Sequence, residues 1–316
     1  MKRIMITGAT GTIGMALVKK CIEQGIEVIA LVNPESSRVD RIPNDPKVTV
    51  VKCGLSDYDS SDGMSLGLPP GVEGGAFADA MIHLAWGGTF GDARNDSLLQ
   101  EQNRKYADDA ARLASRLGCK VFVGAGSQAE YGRVSGVLRP DTPCSPENEY
   151  GRAKLQALES TGRICTDLGV RHIWTRILSI YGPYDGERTM IMTLIRELLS
   201  GHTPALTKGE QIWDYLYAED AATALLLLAD KGKDGGIYPI GSGIGRPLKE
   251  YIEIIRDQID PDLQLGFGQL PYSDKQVMHL VADISELTRD TGFSPAVDFA
   301  EGARRTIEWV KKNYLI

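Results

Sequence analysis

Short apolar segments alternate with amphipathic ones along the first half of the chain. The apolar segments are nearly continuous, a pattern typical of parallel strands that are covered on both faces. Between them, residues 12–25 and 103–118 carry apolar residues at helical spacing, and each segment ends at a glycine suited to a helix C-cap. The chain therefore alternates strand with helix. The predicted strands are residues 3–7, 27–32, 47–53, 80–86, 120–126 and 172–178.

A glycine-rich turn follows the first predicted strand. Gly8, Gly11 and Gly14 stand where this strand passes into the first helix. Such a turn lets the backbone approach a diphosphate, and the helix N-terminus offers free N–H groups and the positive end of its dipole. The segment therefore predicts dinucleotide binding, with further contacts from Thr10, Thr12 and Ile13.

Alternating strands and helices predict an α/β fold with a doubly wound parallel sheet of the Rossmann type. The alternation weakens after residue 181, where helices dominate and turns multiply. We predict a dinucleotide-binding Rossmann domain at residues 1–181 and a smaller, mostly helical substrate-binding domain at residues 182–316. A segment near residues 213–230 is expected to pack back on the first domain.

Composition and charge narrow the class of protein. The chain has 316 residues and a net charge of −7, which disfavours a broad nucleic-acid interface. Its longest apolar run, residues 221–229, is too short to span a bilayer, so no membrane partner is expected. Five cysteines show no C-x-x-C pairing and no histidine spacing suited to a metal. These features, with glycines that begin too early for a signal sequence, predict a cytoplasmic protein without a metal site.

The end of the second predicted strand bears on the choice of cofactor. A carboxylate there would bind the adenosine ribose of NAD, but the sequence has Val32 and Asn33. Ser36, Ser37 and Arg38 follow at once, and hydroxyl and guanidinium groups suit a 2′-phosphate. We therefore expect NADP(H) in preference to NAD(H), with contacts from Asn33, Ser37 and Arg38.

A tyrosine and a lysine share one face of a predicted helix. Ser145 is a candidate N-cap, so that the helix would run through Tyr150 and Lys154, an i, i+4 pair. A nearby ammonium favours the phenolate and moves the tyrosine pKa toward neutral pH. Ser127, at the end of the fifth predicted strand, supplies a hydroxyl that completes a candidate acid–base site.

The motifs and their order resemble the extended short-chain dehydrogenase/reductases, within the NAD-dependent epimerase/dehydratase family. The resemblance covers nearly the whole chain and implies that Ser127, Tyr150 and Lys154 form the catalytic triad. Tyr150 would exchange a proton with the substrate oxygen, Ser127 would hydrogen-bond that oxygen, and Lys154 would hold the nicotinamide ribose. The matching segments are "TGATGTIG", "IHLAW", "GSQAEYG", "YGRAK", "YGP" and "WDYLYAEDAATA".

The same resemblance implies further contacts and a homodimer. Additional cofactor contacts are expected at Leu55, Leu84, Ala85, Asn103 and Lys154. Substrate contacts are expected at Trp86, Ser127, Gln128, Tyr150 and Trp213.

The residues after Ser127 discriminate among the reactions of this family, whose substrates are mostly nucleotide-activated sugars. Members that dehydrate sugars carry an Asp-Glu pair directly after the triad hydroxyl, whereas this chain has Gln128 and Ala129. Alanine cannot transfer a proton, so 4,6-dehydration is disfavoured. We expect reduction of a 4-keto or 4-keto-6-deoxy nucleotide sugar, with nucleotide-sugar 4-epimerisation as the alternative. A non-catalytic NADP sensor is the third reading, although the retained Tyr150 and Lys154 speak against it.

Overall fold

A computed structural model of the chain describes residues 1–68, 71 and 75–314. Its strands and helices, in chain order, are β1 (Arg3–Thr7), α1 (Thr12–Glu23), β2 (Glu27–Val32), β3 (Val48–Lys52), β4 (Ala80–His83), α2 (Ser97–Arg116), β5 (Val121–Ser127), β6 (Val137–Leu138), α3 (Glu149–Leu168), β7 (Arg171–Ile177), β8 (Ser179–Tyr181), α4 (Met190–Leu199), β9 (Ile212–Trp213), β10 (Tyr215–Tyr217), α5 (Ala218–Lys231), β11 (Gly236–Ile240), β12 (Arg246–Pro247), α6 (Leu248–Ile259), β13 (His279–Ala282), α7 (Ser285–Thr291) and α8 (Phe299–Asn313). Short 3-10 helices at Gly91–Asn95 and Gln128–Glu130 bear on the site.

The main sheet confirms the predicted fold class. Seven strands lie in the order β11-β7-β5-β4-β1-β2-β3, and every neighbouring pair is parallel. Adjacent residues of β1 belong to different cores, Ile4 and Ile6 on the face covered by α1 and α5, and Met5 on the face covered by α2. Both faces are thus buried, which explains why the strands read as continuous apolar runs.

The strand order reverses at β1, and this reversal positions the site. From β1 the chain moves one way to β2 and β3, and later the other way to β4, β5 and β7. The connections leaving the carboxyl ends of β1 and β4 therefore diverge and leave a crevice at that edge of the sheet, where ligands of such sheets bind.

A second core lies in the C-terminal half of the chain. Helices α4, α6 and α8 pack together there around Ile195, Ile255 and Val310. Part of this half returns to the main sheet, because α5 packs against α1 and β11 pairs with β7. The division into domains at residue 181 stays a prediction.

The described residues bear on two expectations, the absence of a membrane span and the absence of a metal site. Within that part of the chain, no helix combines the length and apolar character that crossing a bilayer requires. The same residues hold no group of three or more His, Cys, Asp or Glu side chains placed to bind a metal ion. All five cysteines are free thiols.

Candidate active site

The turn between β1 and α1 is packed closely against the end of β4. Gly8 has φ +71°, and a Cβ on it would lie 2.8 Å from the Ala85 nitrogen. A Cβ on Gly14 would lie 2.7 Å from the Ala9 Cα and would overlap the Gly8 carbonyl oxygen. Glycine is therefore required at both positions. Gly11 occupies the N-cap of α1, and no side chain of the described residues caps it, so the first-turn N–H groups can bind a ligand.

A cavity of about 710 Å³ opens beside this turn. Every cofactor residue expected from the sequence lines it, except Asn103 and Lys154. The glycine cradle, the free helix N-terminus and the size of the cavity fit a dinucleotide. Trp86, expected as a substrate contact, lines it as well. The expected cofactor residues that line it are Gly8, Thr10, Gly11, Thr12, Ile13, Gly14, Asn33, Ser37, Arg38, Leu55, Leu84 and Ala85.

The segment after β2 contributes a carboxylate and a guanidinium to this cavity. Asn33 Oδ1 accepts a hydrogen bond from the Glu35 N–H at 3.0 Å, and Ser36 Oγ accepts one from the Arg38 N–H at 3.3 Å. Glu35 and Arg38 both line the cavity. Sequence reasoning missed Glu35 because it follows the strand by three residues, beyond the position where a ribose-binding carboxylate is expected.

Polar side chains hold the loop after β4 in place. The Asn103 amide donates to the Gly87 carbonyl at 2.9 Å and accepts from the Gly87 N–H at 3.0 Å. Gln100 Oε1 accepts from the Trp86 indole at 2.8 Å, which places Trp86 in the cavity wall. Asn103 therefore acts on the cavity through the backbone of this loop.

Ser127 ends β5, and a buried ion pair supports it. Ser127 is 8% exposed, and its Oγ accepts from the Ala129 N–H at 3.2 Å. Its own N–H donates to Glu130 Oε1 at 2.8 Å, while the Arg176 guanidinium donates to Glu130 Oε2 at 2.8 Å. The Trp174 indole also donates to Glu130, at 3.1 Å. Burial raises the pKa of Glu130, and the charge of Arg176 opposes that rise.

Tyr150 lies in the first turn of α3, next to Ser127. The expected N-cap at Ser145 is wrong, because Asn148 Oδ1 accepts from the Gly151 N–H at 2.8 Å and the helix begins at Glu149. A Cβ on Gly151 would lie 2.9 Å from the Ala129 carbonyl carbon, so glycine allows α3 to approach the Ser127 turn. Burial raises the pKa of Tyr150, and a hydrogen bond with Ser127 counteracts this.

Lys154 is buried one turn further along α3. It is 4% exposed, and its Nζ donates to the Ala125 carbonyl at 2.5 Å. The same Nζ lies 3.6 Å from the centre of the Trp86 ring and 5.8 Å from that of Tyr150. Burial lowers the pKa of Lys154 to about 7, although the Glu130 carboxylate raises it. The structure thus brings Ser127, Tyr150 and Lys154 together beside Trp86.

A second cavity of about 260 Å³ adjoins this group. Gln128 and Ala129 form part of its wall, together with Arg94 from the loop after β4. Trp213 lines neither cavity, since its indole donates to Ser179 Oγ at 2.8 Å and its ring packs beside Leu178 and Leu280. Its substrate role stays a prediction.

Comparison with known proteins adds to this geometry. The sequence profile of the NAD dependent epimerase/dehydratase family matches residues 4–241. The chain belongs to this family. The resemblance stated from the motifs is thereby confirmed. The family consists of NAD-dependent epimerases and dehydratases of nucleotide-sugar metabolism, and the narrower expectation of a reductase or epimerase stays a prediction.

Curated relatives of this chain include proteins named as 4,6-dehydratases and a protein named as a 4-epimerase. The chain is 25% identical to a dTDP-glucose 4,6-dehydratase of Streptomyces griseus, over 98% of this chain and 94% of the relative. It is 26% identical to a putative UDP-glucose 4-epimerase of Methanocaldococcus jannaschii, over 98% and 99%. At these identities, neither relative decides which reaction this epimerase/dehydratase family member catalyses.

Solved structures of the family share the fold. A UDP-N-acetylglucosamine 4-epimerase from Methanobrevibacter ruminantium superposes with a TM-score of 0.87 at 23% identity, covering 99% of each chain. A dTDP-glucose 4,6-dehydratase from Streptomyces venezuelae, solved with NAD, gives a TM-score of 0.83 at 22% identity, covering 98% of this chain and 97% of the other.

The buried Lys154 predicts a pH-dependent stability. Its pKa of about 7 in the fold lies below its ordinary 10.5, so between these values the unfolded chain binds more protons than the folded one. Folding stability from this group therefore rises with pH. Relative to Lys154→Met, the wild-type free energy of unfolding should increase by about 1 kcal/mol per pH unit from about pH 7 to about pH 9.

Urea unfolding at several pH values measures this difference. The exposed Lys105 of α2 provides the control, since Lys105→Met should track the wild type across the range. A constant difference between wild type and Lys154→Met would show that Lys154 keeps an ordinary pKa.

Proposed function

We propose that the chain transfers hydride at C4 of a nucleotide-activated sugar and does not dehydrate the sugar. The observation that carries this proposal is the environment of Ser127. Its hydroxyl adjoins Tyr150, whose ring centre lies 5.8 Å from Lys154 Nζ, while the next two positions are Gln128 and Ala129. The site therefore offers groups that move a proton on the substrate oxygen, but no acid–base pair at the positions where dehydrating members carry one.

The carboxylates near Ser127 already form ion pairs with arginines. Both oxygens of Glu130 accept hydrogen bonds inside the protein, one from Ser127 and one from Arg176. Among the described residues that line the second cavity, the only carboxylate is Glu147, which pairs with Arg133 at 2.7 Å. A group already held in an ion pair is a poor proton carrier for the loss of water.

The side chains divide the work on the substrate. Tyr150 exchanges a proton with the sugar O4, and Ser127 hydrogen-bonds the same oxygen. Lys154 donates a hydrogen bond to the Ala125 carbonyl and is the candidate to hold the nicotinamide ribose. The nicotinamide, when bound, supplies or accepts the hydride. Trp86 forms the wall between the cofactor cavity and Tyr150. The rings of Trp86 and Tyr150 meet edge to face, with their centres 6.2 Å apart.

Net reduction of a 4-keto or 4-keto-6-deoxy nucleotide sugar is our first candidate. It requires a cofactor supplied in the reduced state, and Ser37 and Arg38 at the cavity end offer groups for the 2′-phosphate of NADPH. Nucleotide-sugar 4-epimerisation is the second candidate, since the M. jannaschii and M. ruminantium proteins described above are named as epimerases. A cytoplasmic location and a homodimer stay predictions.

The first test follows NADPH and sugar together. Wild-type protein should consume one NADPH for each 4-keto nucleotide sugar reduced, and Tyr150→Phe should lower kcat by at least about 100-fold because the proton donor is lost. Tyr106→Phe, on α2 outside the site, is the matched control. Interconversion of C4 epimers without net loss of NADPH would identify an epimerase instead. Release of a 4-keto-6-deoxy sugar from a 4-hydroxy substrate would contradict the proposal.

The second test separates NADP(H) from NAD(H). If a 2′-phosphate lies against Arg38, Arg38→Ala should weaken NADPH binding at least about 10-fold and leave NADH binding within about 2-fold, because only NADPH carries that charge. Glu35→Gln should tighten NADPH binding by removing a repelling carboxylate. Titration of each protein by cofactor fluorescence measures both effects. If Glu35→Gln instead weakens NADH binding and Arg38→Ala changes nothing, the ribose is held by Glu35 and the cofactor is NAD(H).

A further inference from the structure

A cation outside the expected triad lies against the candidate base. Arg94 belongs to the 3-10 helix Gly91–Asn95, and its guanidinium carbon lies 4.9 Å from the centre of the Tyr150 ring. This distance is within the range of a cation–π contact. Within the described part of the chain, its Nε is buried without a hydrogen-bond partner. No carboxylate of the described residues forms an ion pair with Arg94, so no ion pair neutralises the positive charge beside Tyr150.

The backbone that carries Arg94 is fixed from α2. Gln100 Nε2 donates to the Ala93 carbonyl at 2.9 Å and to the Gly88 carbonyl at 3.0 Å. Gln100 is only 1% exposed and also holds the Trp86 indole. One buried amide thus positions two elements that contact Tyr150, namely Trp86 and the helix of Arg94.

Four groups set the electrostatic environment of Tyr150. Ser127 ends β5 and Glu130 follows it in the next 3-10 helix. Lys154 Nζ lies 5.8 Å from the centre of the Tyr150 ring, and the Arg94 guanidinium carbon lies 4.9 Å from it. Burial raises the pKa of Tyr150, Ser127 and Arg94 lower it, and the Glu130 carboxylate adds a smaller rise. Burial brings the pKa of Lys154 down to about 7, whereas a guanidinium stays charged well above neutral pH.

We propose that Arg94 is a positioning residue for Tyr150, whose guanidinium holds a permanent positive charge against the phenol ring and stabilises the phenolate during proton transfer. The proposal rests on the proposed function, in which Tyr150 exchanges the proton. Lys154 is then free to bind the ribose and to change its protonation state without removing the charge that Tyr150 requires. Sequence spacing gave no sign of this role, because Arg94 stands 56 positions before Tyr150 in a segment without a motif.

The test compares Arg94→Met, which removes the charge at similar length, with Arg94→Lys, which keeps it. With oxidised cofactor bound, the ionisation of Tyr150 is followed by ultraviolet difference absorbance between each protein and its Tyr150→Phe counterpart. Arg94→Met should raise the Tyr150 pKa by about one unit or more, and Arg94→Lys should recover at least half of the shift. In the kcat–pH profile of reduction, where Tyr150 must be protonated, the basic limb should move in the same direction as the Tyr150 pKa. Arg112→Met, an exposed cation on α2 paired with Asp109, should leave both curves unchanged.

The outcomes separate the two proposals. If Tyr150→Phe retains the turnover and the basic limb of the wild type, the proposed function fails. If Tyr150→Phe is inactive but Arg94→Met titrates as the wild type, the role of Arg94 alone is overturned. A general loss of packing at Arg94 would lower activity equally in the Met and Lys variants without shifting the titration, and that result would also overturn it. If Arg94→Met does not fold, Arg94→Gln takes its place with the same expected shift.

Discussion

The close approach of two backbones, at the turn after β1 and at the end of β4, determines where everything else in the site can lie. A side chain larger than hydrogen at Gly8 or Gly14 would meet backbone atoms of Ala85 or of the turn itself. This contact closes the base of the crevice at β1, where the strand order reverses, and the first turn of α1 points into that crevice. It also fixes the direction in which the chain leaves β4, and so the position of Trp86, which separates the cofactor cavity from Tyr150.

Behind this crevice, the site is built from buried charges that constrain one another. Glu130 and Arg176 form an ion pair beneath Ser127, at 0% and 3% exposure. The pair holds the backbone of Ser127, whose N–H donates to the Glu130 carboxylate. Lys154 is buried close by, and the guanidinium of Arg94 lies against the Tyr150 ring. Because an isolated buried charge is costly, each of these groups is stable only through its neighbours.

Local sequence patterns predicted much of the fold and most of the residues that the structure brings together at the candidate site. Continuous apolar runs predicted the buried parallel strands, and the glycine turn predicted the lining of the cofactor cavity, because both signals act within a few residues. Contacts between distant segments gave no such signal. From the sequence alone Glu130 resembles an ordinary loop residue, because its ion-pair partner, Arg176, lies 46 positions later. The N-cap at Asn148 was missed because Ser145-Pro146 is an equally good local start, and the packing of Gly151 against Ala129 joins segments that the local sequence does not relate.

The central claim, hydride transfer at the sugar C4 without loss of water, is tested most directly by isotope transfer. The reduced cofactor is prepared with deuterium at the transferring position and incubated with a 4-keto nucleotide sugar, and the product is analysed by NMR. We expect deuterium at C4 of the sugar with the wild-type protein, and no deuterated product when Tyr150 is replaced by Phe. Deuterium that never reaches C4, or solvent hydrogen incorporated at C5 with loss of the 6-hydroxyl, would contradict it.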